Sequence, residues 1–133
     1  MDGERRLRIL LADDHAAAVT QATRVLAEQY DIAGTAADGA ELLEAAARLD
    51  PDVIVLDIGM PVLDGLEAAR RLKAAGCRSR LVFLTVHEDP DYVRAAERLG
   101  ADGYVVKCRL ATDLLPAISA ALRRGPVGSA GET

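Results

Sequence analysis

The sequence predicts an α/β fold, doubly wound: a five-stranded parallel sheet with helices on both faces. Two observations and one general rule predict it. Five short apolar runs alternate strictly with five longer amphipathic stretches, the pattern of repeated βα units. Aspartates with helix-starting chemistry follow the runs within a few residues, at Asp38, Asp64 and Asp89. Right-handed crossovers between parallel strands then distribute the helices to the two sides of one sheet.

The first strand is Leu7 to Ala12, followed after Asp13-Asp14-His15 by a helix to about Gln29 with Val19, Ala22 and Leu26 at helical spacing. A second strand, Asp31 to Ala36, precedes Asp38 and Glu41, a capping-box pair that opens a helix through Leu49. Val53-Ile54-Val55-Leu56 is unbroken apolar sequence, as in a strand covered on both faces. Asp57 follows at once. Asp64 and Glu67 repeat the capping pattern for a helix ending near Gly76. Leu81 to Leu84 is the fourth strand, closing on Thr85; Asp89-Pro90 starts a helix that stops at Gly100. Tyr104 to Val106 is the fifth strand, closing on Lys107, and the last helix is expected from Thr112-Asp113 to Arg124, with Pro116 in its first turns.

The 133 residues fit one domain, and half of them are apolar, enough for a core without staples. We assign residues 1–6 to an N-terminal extension, 7–124 to the domain and 125–133 to a flexible tail. A net charge of −5 argues against direct nucleic-acid binding, which needs a basic face. The start is no signal peptide, and no apolar run is long enough to span a membrane. Cys77 and Cys108 form no CxxC pair and suit a reducing cytoplasm.

Chemistry concentrates where strands end: Asp13 and Asp14 after the first, Asp57 after the third, Thr85 after the fourth, Lys107 after the fifth. All these ends share one edge of a parallel sheet, where ligands bind. If the first and third strands are neighbours, three carboxylates converge and repel one another unless a cation or proton compensates. An oxygen-only donor set suits Mg²⁺, with Mn²⁺ as a substitute.

Asp13-Asp14, Leu56-Asp57-Ile58-x-Met60-Pro61-x-x-Asp64-Gly65, Leu84-Thr85 and Gly103-Tyr104-Val105-Val106-Lys107 together resemble the receiver domains of bacterial two-component response regulators. The wording is most similar to receivers of the NarL/FixJ subgroup, which precede a LuxR-type helix-turn-helix. The resemblance covers residues 7 to 124 and implies the flavodoxin-like (βα)5 strand order 2-1-3-4-5, for which a receiver is itself a standard example. It further implies a phosphorylation switch that is not otherwise an enzyme. Asp57 would accept the phosphoryl group from a sensor histidine kinase or phosphotransfer protein. Asp14, Asp57 and the backbone carbonyl of Gly59 would hold the metal, with Asp13 acting through its waters. Lys107 and Thr85 would contact phosphoryl oxygens, and Tyr104 would swing inward as Thr85 moves. The surface between the fourth helix, fifth strand and fifth helix would repack, presenting itself to a partner or a second copy.

Four positions depart from the family's habit. Val86 replaces a small residue and should hinder attacking water; Gly59 and His87 are the other neighbours expected to set dephosphorylation rate. Cys108 stands where proline in a cis bond is frequent, so a trans bond is expected. His15 is expected to pack at the start of the first helix. Rival readings are a receiver-like module that is never phosphorylated, a flavin carrier and a haloacid-type phosphatase. A flavin carrier wants a phosphate-cradling loop after the first strand, and a haloacid-type phosphatase wants Asp-x-Asp there; this chain has contiguous aspartates. The tail contains no recognisable inter-domain linker, which favours a stand-alone receiver over the receiver piece of a DNA-binding regulator.

Overall fold

A computed structural model describes residues 6–86 and 89–123. The elements are β1 (Arg8–Ala12), α1 (Ala16–Leu26), β2 (Asp31–Ala36), α2 (Gly39–Leu49), β3 (Val53–Asp57), α3 (Gly65–Ala74), β4 (Arg80–Thr85), α4 (Pro90–Arg98), β5 (Gly103–Val106) and α5 (Leu110–Arg123), the last preceded by a 3₁₀ turn, Lys107–Arg109. The five strands form one parallel sheet in the order β2-β1-β3-β4-β5, the expected one. Apart from Arg6, the N-terminal extension lies outside the described residues, as do Arg124 and the tail 125–133.

The period of two in each strand sorts its side chains between two cores. Ile9, Leu11, Val55, Val82 and Val105 pack under α1 and α5, against Leu26, Leu114 and Ile118. Leu10, Ile54, Leu56, Leu81 and Phe83 pack under α2, α3 and α4. Those three helices meet the sheet largely through alanines, Ala45, Ala46, Ala68, Ala69 and Ala96. Both faces are therefore covered, which is why the strands read as unbroken apolar runs.

Helix starts follow the sequence closely. The side chains of Asp38, Asp64 and Asp89 accept from the backbone N–H groups of Glu41, Glu67 and Asp91, each at 2.8 Å, caps worth about 1 kcal/mol apiece. Glu41 reaches back, as a capping box requires, but to Ala37 N–H. Glu67 does not. Hydrogen bonds from Arg70 and then Arg71 turn it away and hold its carboxyl down, to about 2.

Two boundaries differ from expectation. α1 ends at Leu26 rather than near Gln29, because residues 27–29 turn to bring Tyr30 into the core. α5 begins at Leu110, before Thr112-Asp113, because burying Leu110 anchors its first turn. Pro116 therefore lies inside the helix. Its missing N–H deprives the Thr112 carbonyl, but both residues are on the exposed face, where water can substitute.

The N-terminal edge of the sheet is tied by side chains. Asp52 accepts from Arg8 N–H at 2.8 Å, Asp102 accepts from Leu81 N–H at 2.9 Å, and the Ser79 hydroxyl donates to the Pro51 carbonyl at 2.7 Å. These bonds hold the strand starts of β1, β3 and β4 together.

Val62, in the loop between β3 and α3, has φ +69° and is 80 % exposed. A β-branched residue is disfavoured in the left-handed region by about 1–2 kcal/mol, and little packing offsets the strain. Val62→Asn should therefore stabilise the fold by about 1 kcal/mol, read as a higher urea midpoint at unchanged m-value.

Candidate functional site

Strand register assembles the site. Ala12 pairs with Leu56, so Asp13 leaves β1 beside Asp57 at the end of β3. Asp57 pairs with Leu84 and Thr85 with Val106, which sets Thr85 and Lys107 along the same edge. Asp13, Asp57 and Thr85 are all buried. The Lys107 Nζ lies 2.7 Å from Asp13 Oδ2 and 3.5 Å from Asp57 Oδ2. Asp14 is more exposed and faces the same cluster.

Asp57, Thr85, Gly59, Val86 and Lys107 line one cleft of about 240 Å³, together with Ile58, His15 and Tyr92. Val86 is exposed at its rim. His87 lies outside the described residues. Tyr104 is not in this cleft. It lies against α4, beside a second cleft of about 440 Å³ lined by Val93, Ala96, Glu97 and Ala101. The Lys107–Cys108 bond is trans, as expected without proline.

Electrostatics are unbalanced. Burial pushes the Asp57 carboxyl above the usual carboxylate range, and the Asp13 charge adds to it; Lys107 and the Gly59 N–H only partly oppose this. Asp13 Oδ2 is buried and, although the ammonium stands beside it, makes no hydrogen bond. Asp13 and Asp57 thus share one lysine, and oxygens of all three aspartates with a His15 ring nitrogen come within 4.8 Å of one another. A donor set dominated by carboxylate oxygen, with unspent negative charge, fits a hard divalent cation.

His15 does not pack at the start of α1, as the sequence suggested. It occupies the N-cap position without capping, with its side chain 61 % exposed and its ring over the acidic cluster. Sequence reasoning missed it and Tyr92 as cleft residues. Adjacency to Asp13-Asp14 was the available signal for His15; Tyr92 carried none.

The backbone explains the Asp64-Gly65 pair. Gly65 N–H donates to Ile58 O at 2.8 Å, and a Cβ on Gly65 would stand 2.1 Å from the Asp57 carbonyl oxygen. Only glycine lets α3 start this close to the end of β3. A Cβ on Gly59 would meet nothing within 4 Å.

Gly65→Ala should destabilise by more than about 2 kcal/mol and Gly59→Ala by less than about 0.5 kcal/mol, measured by urea denaturation. Asp57 gives a pH test. A carboxyl whose value is raised on folding stabilises fully below its unfolded value, and that contribution is lost as pH rises through the folded value. In metal-free buffer Asp57→Asn should therefore be more stable than wild type at neutral pH, and the advantage should shrink towards about pH 4.

The geometry has close relatives. Residues 9–119 match the family model of the response regulator receiver domain. The chain is 36 % identical over 120 residues to the nitrate/nitrite response regulator protein NarL of Escherichia coli strain K12, covering 89 % of this chain and 56 % of that protein. It is 37 % identical over 118 residues to the transcriptional regulatory protein PdtaR of Mycobacterium tuberculosis, covering 88 % and 57 %. The chain thus spans little more than half the length of these relatives. Among solved structures, the receiver domain of the NarL response regulator from Mycobacterium tuberculosis superposes with a TM-score of 0.80 at 28 % identity, covering 90 % of this chain and 99 % of that one. The response regulator domain of Thermotoga maritima CheB does so with 0.84 at 29 % identity, covering 92 % and 100 %. Fold, acidic pocket and these likenesses agree: the chain belongs to the receiver domains of two-component response regulators, of the NarL/LuxR type.

Proposed function

We propose that this domain is a phosphorylation switch whose acceptor is Asp57. One observation carries the reading: a buried carboxylate at a strand end, 3.5 Å from a lysine ammonium, opens into a cleft shared with a buried threonine. An Asp57 carboxylate oxygen attacks phosphorus, and a P–O bond forms. The bond to the donor breaks, and its electron pair leaves with the donor, the imidazole of a histidine kinase or phosphotransfer protein, or acetate from acetyl phosphate. The transfer needs positioning and neutralisation more than covalent help.

Asp14, Asp57 and the Gly59 carbonyl would hold Mg²⁺, or Mn²⁺ in its place, with Asp13 acting through bound water. The ion would supply positive charge against the carboxylates and the phosphoryl oxygens. Lys107 gives up its contact with Asp13 and turns its ammonium to the phosphoryl oxygens. The Thr85 hydroxyl hydrogen-bonds the same group.

Movement of Thr85 leaves room behind it that Tyr104 enters, and the cleft between α4 and β5 gives that repacking space. The α4-β5-α5 surface then changes for a partner, or for a second copy in a homodimer. A coupling of about 1–3 kcal/mol makes this a population shift. The domain, residues 7–124 with a tail at 125–133, catalyses only its own phosphorylation and dephosphorylation and does not itself bind nucleic acid. Two unpaired cysteines suit a cytoplasmic setting; among the described residues no helix is long and apolar enough to cross a membrane.

Incubation with acetyl phosphate and Mg²⁺ should add one phosphoryl mass to the wild type and none to Asp57→Asn. An adduct on neither would support a module that is never phosphorylated, and equal adducts would move the acceptor elsewhere. Val86 at the cleft rim crowds incoming water; Gly59 in the cleft and His87, next after Val86 in sequence, are assigned the rest of the control over the rate. The wild-type adduct should decay more slowly than that of Val86→Ala, followed by intact-mass time course; equal decay removes Val86 from the reading.

A further inference from the structure

We propose that His15 is a nitrogen donor to the divalent ion of this site. It would bias the site towards transition ions, the borderline Co²⁺ and Ni²⁺ more than the harder Mn²⁺, relative to an all-oxygen set. The proposal rests on the reading of the acidic cluster as a metal site and adds a ligand to it.

The His15 side chain is not held over the cluster by packing, because it is largely exposed, and it does not serve as a cap, because it makes no hydrogen bond to the first turn of α1. Its Nδ1 instead lies 3.1 Å from Asp13 Oδ1, 3.4 Å from Asp14 Oδ1 and 3.3 Å from Lys107 Nζ. Neither tautomer satisfies all three neighbours. A proton on Nδ1 suits the carboxylates but faces the ammonium; a lone pair there suits the ammonium but faces two carboxylates. A cation held by Asp14 and approached by the ring resolves the conflict, since lone pairs of Nδ1 and Asp14 Oδ1 can point at it together while Asp13 Oδ1 reaches it through a bound water.

The spacing agrees. An octahedral ion with bonds of about 2.1 Å separates neighbouring donors by about 3 Å, within a few tenths of an ångström of the 3.4 Å between His15 Nδ1 and Asp14 Oδ1. The single ammonium of Lys107, 2.7 Å from Asp13 Oδ2 and 3.5 Å from Asp57 Oδ2, is shared between two buried carboxylates, a second sign that the cluster is short of positive charge. Imidazole suits Mn²⁺, Co²⁺ and Ni²⁺ increasingly along that order and suits Mg²⁺ least.

Isothermal titration of the full chain with Mg²⁺, Mn²⁺, Co²⁺ and Ni²⁺, in wild type, His15→Leu and His15→Ala, tests this. Unfolding midpoints of the metal-free variants check that each is folded. In both variants the affinity for Mn²⁺ relative to Mg²⁺ should fall by about tenfold, and the loss should grow through Co²⁺ to Ni²⁺. The same relative affinities in wild type and both variants, with Mg²⁺ still bound, would overturn the role of His15 and leave the metal site standing. Failure of every ion to bind the wild type, or binding undiminished in Asp14→Asn and Asp57→Asn, would overturn the metal site and the proposal with it.

Discussion

The confinement of Asp13 and Asp57 beside a single ammonium is the constraint on which the site depends. Parallel pairing of β1 with β3 forces the two carboxylates together at a buried edge. Like charges there cannot be relaxed by water as they would be on a surface. Lys107 lowers the cost but leaves Asp57 above its ordinary range. The site is therefore built to gain from any added positive charge, and it spends fold stability to remain so.

The two edges of the sheet make the point by contrast. Acids stand at both. At the N-terminal edge Asp52 and Asp102 accept backbone N–H bonds and lock strand starts. At the C-terminal edge Asp13 has for its buried Oδ2 only the Lys107 ammonium, among the described residues, and shares it with Asp57. An aspartate at a strand end is chemical or structural according to what satisfies its lone pairs, and residue type does not decide between the two. Gly65 belongs to the first group by proxy, since its lack of a side chain lets α3 begin against the backbone of Asp57.

This division sets what could be read from the chain alone. Sheet composition and the helix starts at Asp38, Asp64 and Asp89 are local signals, carried by residues that satisfy their own neighbours. Strand-end chemistry was equally visible, because the placement of Asp13, Asp57, Thr85 and Lys107 depends only on where apolar runs stop. The strand order came from resemblance to a family, not from periodicity. Contacts between distant segments stayed hidden. The start of α5 is set by burial of Leu110, which no capping pattern announces. The ring of His15 meets Lys107, ninety-two residues away, as well as its sequence neighbours Asp13 and Asp14. Tyr104 was correctly a residue of β5, but its resting place against α4 depends on how that helix lies on the sheet.

The alanines beneath α2, α3 and α4 carry a consequence for how this domain tolerates change. A helix seated on methyl groups lies close to the strands, so trimming one to glycine costs only about 1 kcal/mol, mostly in helix backbone entropy. Enlarging one of them has nowhere to go but outward, lifting the whole helix from its bed. Mutational tolerance on this face should be lopsided, with the smallest residues the least replaceable. Drift in the lineage would then show as frozen alanines beside leucines that exchange only for apolar residues of similar volume.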